Sequence, residues 1–437
     1  MRKTSRFVIW SLVVLTLLAG FSGIAGAGPN KAVAGKGLVK GEITVWGWNI
    51  AASGLKDTVA SFNKKYPDVK VNVVDIGRLD LYDKVTTALA AGVVLPDVIQ
   101  IESDHMAVYT EQFPNGFYDL TAVASKYVKD FDPSKWAQSR VGGKIRSIPW
   151  DSGPTGLFYR ADYFAQAGIN PDEIKTWDDM VEAGKKIEKT FGDKVKLLNI
   201  DWTGDDALYR MMMNQAGAFY FNEKGEVALG SDTSIKIARI IKSLKPYSFN
   251  TAGSWDTTVT ATKNGAVASI PFGVWYSGTI MDQAPELKGK WRVMLLPALT
   301  GGGNRASNLG GSTLVIPATA KNPEAAWRFV ENALATTQGQ MVMLKKWGLF
   351  PSYLPTYEDS FFREKQEFFG NQPIFAIFAG EVKDIPAVNY TGDFSKAHQY
   401  VINALTQLLT QDADPEAVMR KAAKDVAAAT GRKLAAR

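Results

Sequence analysis

The chain has 437 residues, 46% hydrophobic and 22% charged, with a formal net charge of +6; this is an ordinary globular composition at a length that suits two domains. It contains no cysteine and two histidines, His105 and His398. Disulfides, thiolate nucleophiles, cysteine-ligated metals and a lipid anchor on an N-terminal cysteine are thereby excluded, and a histidine-rich metal site or a serine-type triad is poorly supplied. No cofactor or metal is expected. A nucleic-acid partner is not expected either, because Lys and Arg occur only in short pairs such as Lys345-Lys346.

Residues 1–27 read as a signal peptide. Arg2, Lys3 and Arg6 form a positive start, Phe7 to Phe21 an apolar run, and Ala25-Gly26-Ala27 a small-residue cleavage site, with cutting expected after Ala27. The alternative is an uncleaved anchor, for which the run is short. Losing those three cations would lower the net charge from +6 to about +3. Residues 28–40, rich in Gly, Ala and Lys, are expected to form a mobile leader.

From Gly41 strands and helices alternate. Glu42–Trp48 is a short strand of β-formers. Leu55, Val59, Phe62 and Tyr66 mark one face of a helix that Pro67-Asp68 ends. Val69–Ile76 is a second strand, about Leu81 to Ala91 a helix, and Val98–Ile101 a third strand. This βαβαβ run implies parallel strands flanked by helices. The pattern restarts at Gly156–Arg160. Thr176 is a candidate N-cap for a helix carrying Trp177, Met180, Ile187 and Phe191 that ends near Gly192. Val195–Ile200 is a strand, 206–218 and 232–244 are helices, and Ala266–Ile270 is a strand. Trp291–Leu296 and Ser312–Ile316 are strands on either side of the flexible turn Thr300–Asn304. Asn322-Pro323-Glu324 and Asp414-Pro415-Glu416 each start a helix with a cap, a first-turn proline and an acid near the positive end. Two α/β units without a flexible linker point to lobes joined by several crossing strands.

Across nearly the whole of the chain beyond the signal peptide, the sequence resembles the extracellular solute-binding proteins of sugar ABC transporters, the family of maltose-binding protein. The resemblance rests on the order of several short pieces. Glu42–Trp48 looks like the family's first strand, and Phe62–Pro67 (FNKKYP) with Val69-Lys70-Val71 like its "F-x-K-x-Y-P-x-V-x-V" element. Leu95–Val98 (LPDV) looks like a "PD" strand entry, and Gly143–Trp150 like a "G-K-x-Y-x-(I/V)-P" hinge approach. Gly310-Gly311-Ser312 resembles its "GG" segment, and Asn322–Leu334 its "A-W-x-F-V/I" helix. Arg146 departs from the pattern, standing where an aromatic is commoner. The resemblance implies a two-lobed periplasmic-binding-protein fold of type II with a three-segment hinge. The lobes are expected at 41–150 with 294–347 and at 151–293 with 348–437, and the hinge at 150–154, 292–296 and 347–353. It also implies a monomer that binds a carbohydrate and delivers it to ABC transporter permease subunits.

A sugar needs aromatic platforms and planar polar groups. Trp46 and Trp48 share one side of a strand by period two, at the end where open α/β sheets bind ligands; either is a platform candidate, and two core residues is the plain alternative. Trp150 and Asp151 sit at the expected hinge. The resemblance favours Asp104 as a sugar-binding carboxylate, with Glu102 its close competitor. Asp80 either reaches the cleft or caps the following helix. In the second unit Trp275 matches the family's stacking aromatic, Trp202 follows a strand, and Trp255 lies in a Ser-Trp-Asp loop. Gly310, Gly311 and Ser312 could bring backbone N–H groups close to a ligand. Phe394, ahead of Gln399 and Tyr400, roughly matches a C-terminal aromatic of the family. Trp136, Trp177, Trp291, Trp327 and Trp347 are assigned to packing.

A secreted glycosidase is the rival enzyme reading. It would need two carboxylates about 5–9.5 Å apart, with Asp104 and Asp151 the only pair suggested, and no residue marks one as a proton donor. The same fold could instead hold a polyamine, an iron complex, a phosphate ester or a peptide. Scarce histidine disfavours iron, whereas the acids and aromatics would suit a polyamine.

Overall fold

The computed structural model describes residues 31–33 and 39–436. The expected signal peptide and its cleavage site lie outside them. The strands are β1 (Gly41–Gly47), β2 (Val69–Asp75), β3 (Val98–Glu102), β4 (Arg140–Val141), β5 (Lys144–Ile145), β6 (Ile148–Pro149), β7 (Thr155–Arg160), β8 (Lys196–Ile200), β9 (Ser248–Asn250), β10 (Val267–Gly273), β11 (Trp291–Leu295) and β12 (Ser312–Val315). They build two five-stranded sheets, β2-β1-β3-β12-β6 and β11-β7-β10-β8-β9, with β4 and β5 as a small separate pair.

Each sheet is mixed. β1 pairs in parallel with β2 and β3, and β8 with β9 and β10. β12 runs antiparallel to β3 and β6, and β7 antiparallel to β10 and β11. The parallel pairs grow from strand–helix–strand crossovers; β12 re-enters the first sheet after the second lobe and runs antiparallel to both of its neighbours.

Local signals explain the flanking helices. Thr176 and Asp179 form a reciprocal capping box on the helix Trp177–Phe191, which Gly192 ends. Its apolar face, Trp177, Met180, Ala183 and Ile187, is buried in the second lobe's core, where each large side chain contributes about 1.5–3 kcal/mol by leaving water. The helix Asn49–Lys65 does the same for the first lobe through Leu55 and Phe62.

Two expectations change. Residues 31–33 are not part of a mobile leader. Val33 donates its N–H to the Asp119 carbonyl at 3.2 Å and is buried in the first lobe's core, and the Lys31 ammonium reaches the Ala318 carbonyl at 2.9 Å. The return crossing also moves. β11 belongs to the second sheet along its whole length, so the chain leaves that lobe at 306–311 rather than at 292–296.

The three crossing segments are stitched together. Asp151 bridges to Pro351 and Pro154 to Asn308. The Ser152 N–H donates to the Phe350 carbonyl at 2.9 Å, Leu309 N–H to the Gly153 carbonyl at 2.8 Å, and Trp150 N–H to the Ser312 carbonyl at 3.0 Å. Among the described residues no helix is long and apolar enough to cross a membrane.

Candidate functional site

A cleft of about 1330 Å³ lies between the lobes. Its walls are the carboxyl ends of parallel strands, as expected for open α/β sheets. Trp48 follows β1, Asp75 ends β2, Glu102 ends β3, and Asp104 and His105 follow it on one side. Asp201, Asp205 and Asp206 follow β8, Trp255 follows β9, Phe272 lies at the end of β10 and Trp275 just past it on the other.

The second lobe offers an aromatic platform. The Trp255 and Trp275 ring centres lie 5.9 Å apart at 38°, and Phe272 meets Trp275 edge-on at 4.9 Å. Trp255 is 44% exposed. The Trp275 indole N–H donates to the Leu309 carbonyl at 3.0 Å, which ties this ring to the hinge.

The first lobe offers charge. Arg78 grips Glu102 with Nε at 2.9 Å and Nη2 at 2.6 Å, and the Tyr82 hydroxyl donates to the same carboxylate at 2.9 Å. His105 stacks on Tyr82 at 4.7 Å and pairs with Asp104 at 2.7 Å. Burial alone would raise the Asp104 carboxyl, but His105, Arg210 and Arg78 outweigh it and hold that group well below the usual carboxylate range. Burial likewise opposes protonation of His105, yet Asp104 and Glu102 raise its pKa. Across the cleft Arg210 is anchored to Asp206 at 2.7 Å and Asp205 at 3.2 Å, and its Nη1 comes within 3.8 Å of Asp104. The Tyr220 hydroxyl donates to Asp206, and His398 lies 3.1 Å from it.

Asp151 stands at the cleft floor, its Oδ1 accepting the Ser312 N–H at 2.7 Å. Burial pushes its carboxyl up to about 6, against the pull of that N–H and of Lys135. Between about pH 4 and 6 the folded chain therefore binds more protons at Asp151 than the unfolded chain, so this contribution to stability falls as pH rises. Asp151→Asn is expected to flatten that part of the Tm-against-pH curve; an unaltered slope over the interval contradicts the assignment.

Eleven of the fourteen residues chosen from sequence line the cleft: Trp48, Glu102, Asp104, Trp150, Asp151, Trp255, Trp275, Gly310, Gly311, Ser312 and Phe394. Three do not. Trp46 is two residues back along β1, about 6–7 Å, and packs in the apolar cluster with Ile76 and Tyr82. Asp80 is exposed in the first turn of the helix Arg78–Ala91, whose cap position is Gly77; there its charge favours the positive helix end. Trp202 turns away to donate its indole N–H to Ser248 at 3.1 Å beneath Lys245.

Two of the eleven present little ring surface. Trp150 is 1% exposed and its ring belongs to the first lobe's core. Its carbonyl accepts from Gln340 at 3.0 Å and from the Ser352 hydroxyl at 2.9 Å, so it is a hinge anchor. Phe394 is buried against Phe219, Tyr220 and Tyr390. Of the tryptophans assigned to packing, Trp136, Trp177, Trp291 and Trp327 are buried, and the indole N–H of Trp347 donates to Asp57 at 2.9 Å.

Arg78, His105, Arg210 and His398 line the cleft and are not among the sequence candidates. Arg78 carries a usable signal, since it opens a helix just past the carboxyl end of β2. Arg210 carries another: it is the lone cation in the otherwise apolar and neutral helix Ala207–Gln215.

The family profile of the bacterial extracellular solute-binding proteins matches residues 47–341. The chain belongs to that family. As a solute-binding protein it is 33% identical over 408 residues to a lactose-binding protein of Rhizobium radiobacter, covering 89% of this chain and 92% of the relative. It is 28% identical to an arabinooligosaccharide-binding protein of Bacillus subtilis (strain 168), covering 98% and 99%. Among solved structures, the ABC transporter associated binding protein of B. animalis subsp. lactis in complex with beta-1,6-galactobiose superposes with a TM-score of 0.78 at 26% identity, covering 91% of this solute-binding protein and all of that chain.

Proposed function

We propose that this solute-binding protein captures an oligosaccharide or glycoside between its lobes and hands it to the permease subunits of an ABC importer. The observation that carries the reading is the half-exposed indole pair Trp255–Trp275 facing a wall of carboxylates and guanidinium groups across one cleft. Sugar C–H faces stack on such rings, and hydroxyl rims bridge acids and arginines. Relatives described as lactose-binding and arabinooligosaccharide-binding support the ligand class. A sugar held by both lobes shifts the population toward the closed form by its differential affinity for that form. We place the lobes at 41–150 with 312–347 and at 155–295 with 354–436. In this reading the protein acts as an extracytoplasmic monomer, cut after Ala27, and performs no chemistry on its ligand.

A polyamine is the second reading. Nine Asp and Glu residues line the cleft against Arg78, Arg210 and Lys263, a balance that favours cations and neutral solutes over anions.

The test is thermal shift and tryptophan fluorescence of residues 28–437 against lactose, galactobiose, arabino- and malto-oligosaccharides, and spermidine. A cognate sugar at 100 times its Kd is expected to stabilise the fold by about 2.7 kcal/mol. A response to spermidine alone overturns the carbohydrate assignment, and turnover of a chromogenic glycoside overturns the binding-only reading.

A further inference from the structure

We infer that Lys135 is a positioning residue for ligand capture: without touching the ligand, its ammonium holds the hinge strand that supplies Gly310, Gly311 and Ser312 to the cleft. The inference rests on the cleft between the lobes being the binding site. It does not depend on which solute fills it.

The geometry is unusual for a lysine. Lys135 lies in the short helix Pro133–Ser139 of the first lobe and is 1% exposed. A lysine is almost never fully buried unless it is paired, and its desolvation must be offset by strong bonds. Its Nζ donates to the Gly310 carbonyl at 2.6 Å. Lys135 is absent from the cleft wall, whereas Gly310 and Gly311 form part of it.

The turn that carries Lys135 touches all three crossing segments. Asp132 caps the helix by accepting the Ser134 N–H at 2.9 Å. Its other oxygen accepts the Ser152 hydroxyl at 2.7 Å, which engages the first crossing. Its N–H donates to the Ser352 carbonyl at 2.8 Å, which engages the third. Lys135 engages the second through Gly310. One turn of the first lobe thus contacts every segment that must flex when the second lobe moves.

The contact also leaves no slack. Gly311 has φ +97°, and a Cβ there would sit 2.6 Å from both the Asp151 carbonyl and the Lys135 ammonium. Burial lowers the Lys135 pKa, against the pull of Asp132, Asp151 and Asp104. Gly310 lies between Leu309, whose N–H donates to the Gly153 carbonyl at 2.8 Å, and Gly311, whose carbonyl accepts the Ser103 N–H of the first lobe at 3.0 Å, so the Lys135 bond stands where the second crossing meets the first lobe. A hinge bond of this kind biases open against closed forms, and the bias appears in the affinity.

The experiment uses the full chain beyond residue 27. The protein has no cysteine, so cysteines placed at exposed Lys70 of the first lobe and Lys288 of the second take a fluorophore pair cleanly. Lys135→Met keeps the stem and removes the ammonium; Lys135→Arg restores a charge and donors. The ligand-free distance distribution of Lys135→Met is expected to shift and broaden, Kd for lactose or galactobiose to rise about tenfold, and Lys135→Arg to recover part of both. Where Lys135→Met fails to fold, Ser152→Ala loosens the same turn from the first crossing and is expected to shift the distribution in the same direction. An unchanged distance distribution in folded variants overturns the inference. The distance readout needs no ligand, so it stands apart from the sugar assignment: absence of saccharide binding by the unmodified chain refutes that assignment, while a static hinge in the variants refutes this one.

Discussion

Trp275→Ala is expected to weaken binding of the cognate saccharide about 30- to 100-fold, equivalent to about 2–3 kcal/mol. Two losses combine in that number. The first is the ring face. Trp275 is half-buried, braced edge-on by Phe272 and flanked by Trp255, so it is already ordered before a ligand arrives and little entropy is lost on binding. The second is the indole N–H bond to the Leu309 carbonyl at 3.0 Å, which ties the platform to the crossing strand. Gly273 is part of the same arrangement, because a Cβ at that position would collide with the Trp275 indole nitrogen. Isothermal titration with the sugar identified by the panel measures the effect, with circular dichroism to show that the variant is folded. Trp202→Phe is the matched comparison: its ring lies outside the cleft, and its affinity is expected to stay within about twofold. Equal losses in the two variants would show that the platform is elsewhere.

Gly153→Ala is expected to be the most damaging hinge substitution, costing about 3 kcal/mol or more of stability. A Cβ on Gly153 would collide with the carbonyl of Leu309. Both groups belong to backbone that is locked on each side: the Gly153 carbonyl accepts the Leu309 N–H at 2.8 Å, and the Gly153 N–H donates to Asn308 at 3.0 Å. No flexible side chain can give way. The struck carbonyl is also the one that anchors Trp275, so the variant is expected to lose affinity along with stability. Urea unfolding gives the stability and fluorescence titration the affinity. Gly301→Ala is the control, since a Cβ there meets open space and the residue lies in an exposed turn; it is expected to change stability by under about 0.5 kcal/mol. A Gly153→Ala protein as stable as Gly301→Ala would mean the crossings separate at little cost.

The parts legible in the sequence were those with a short-range cause. The helix Trp177–Phe191 is bounded by its own capping box and closing glycine, and its apolar face has helical period. The carboxyl ends of β3, β8 and β10 could be read as a cleft wall because strand direction follows from alternation with helices. Side-chain direction at loops was harder. Trp202 and Trp255 each follow a strand of the second sheet, yet one points to Ser248 and the other to solvent in the cleft; the choice depends on partners 46 residues away in one case and on a helix cap at Ser254 in the other. Trp150 is a ligand candidate in sequence because it adjoins Asp151 at the expected hinge, but core packing claims its ring. The expected second crossing at 292–296 follows from the resemblance, whereas residues 307 and 309 pair with Thr155 and Gly153 about 150 residues earlier, a contact that no local signal carries. Arg210 acquires its role only when Asp104 of the other lobe comes within reach.

The place of β12 in the first sheet has a consequence for how the protein is made. That strand lies between β3 and β6, yet it is the last of the twelve to be synthesised. Until residue 315 has left the ribosome, β3 keeps an open edge and the apolar residues destined to cover it have no partner. The amino-terminal half therefore cannot mature alone ahead of the rest. Its assembly awaits a segment from beyond most of the other lobe, and the growing chain spends most of its synthesis with an unfinished interior that other chains could pair with.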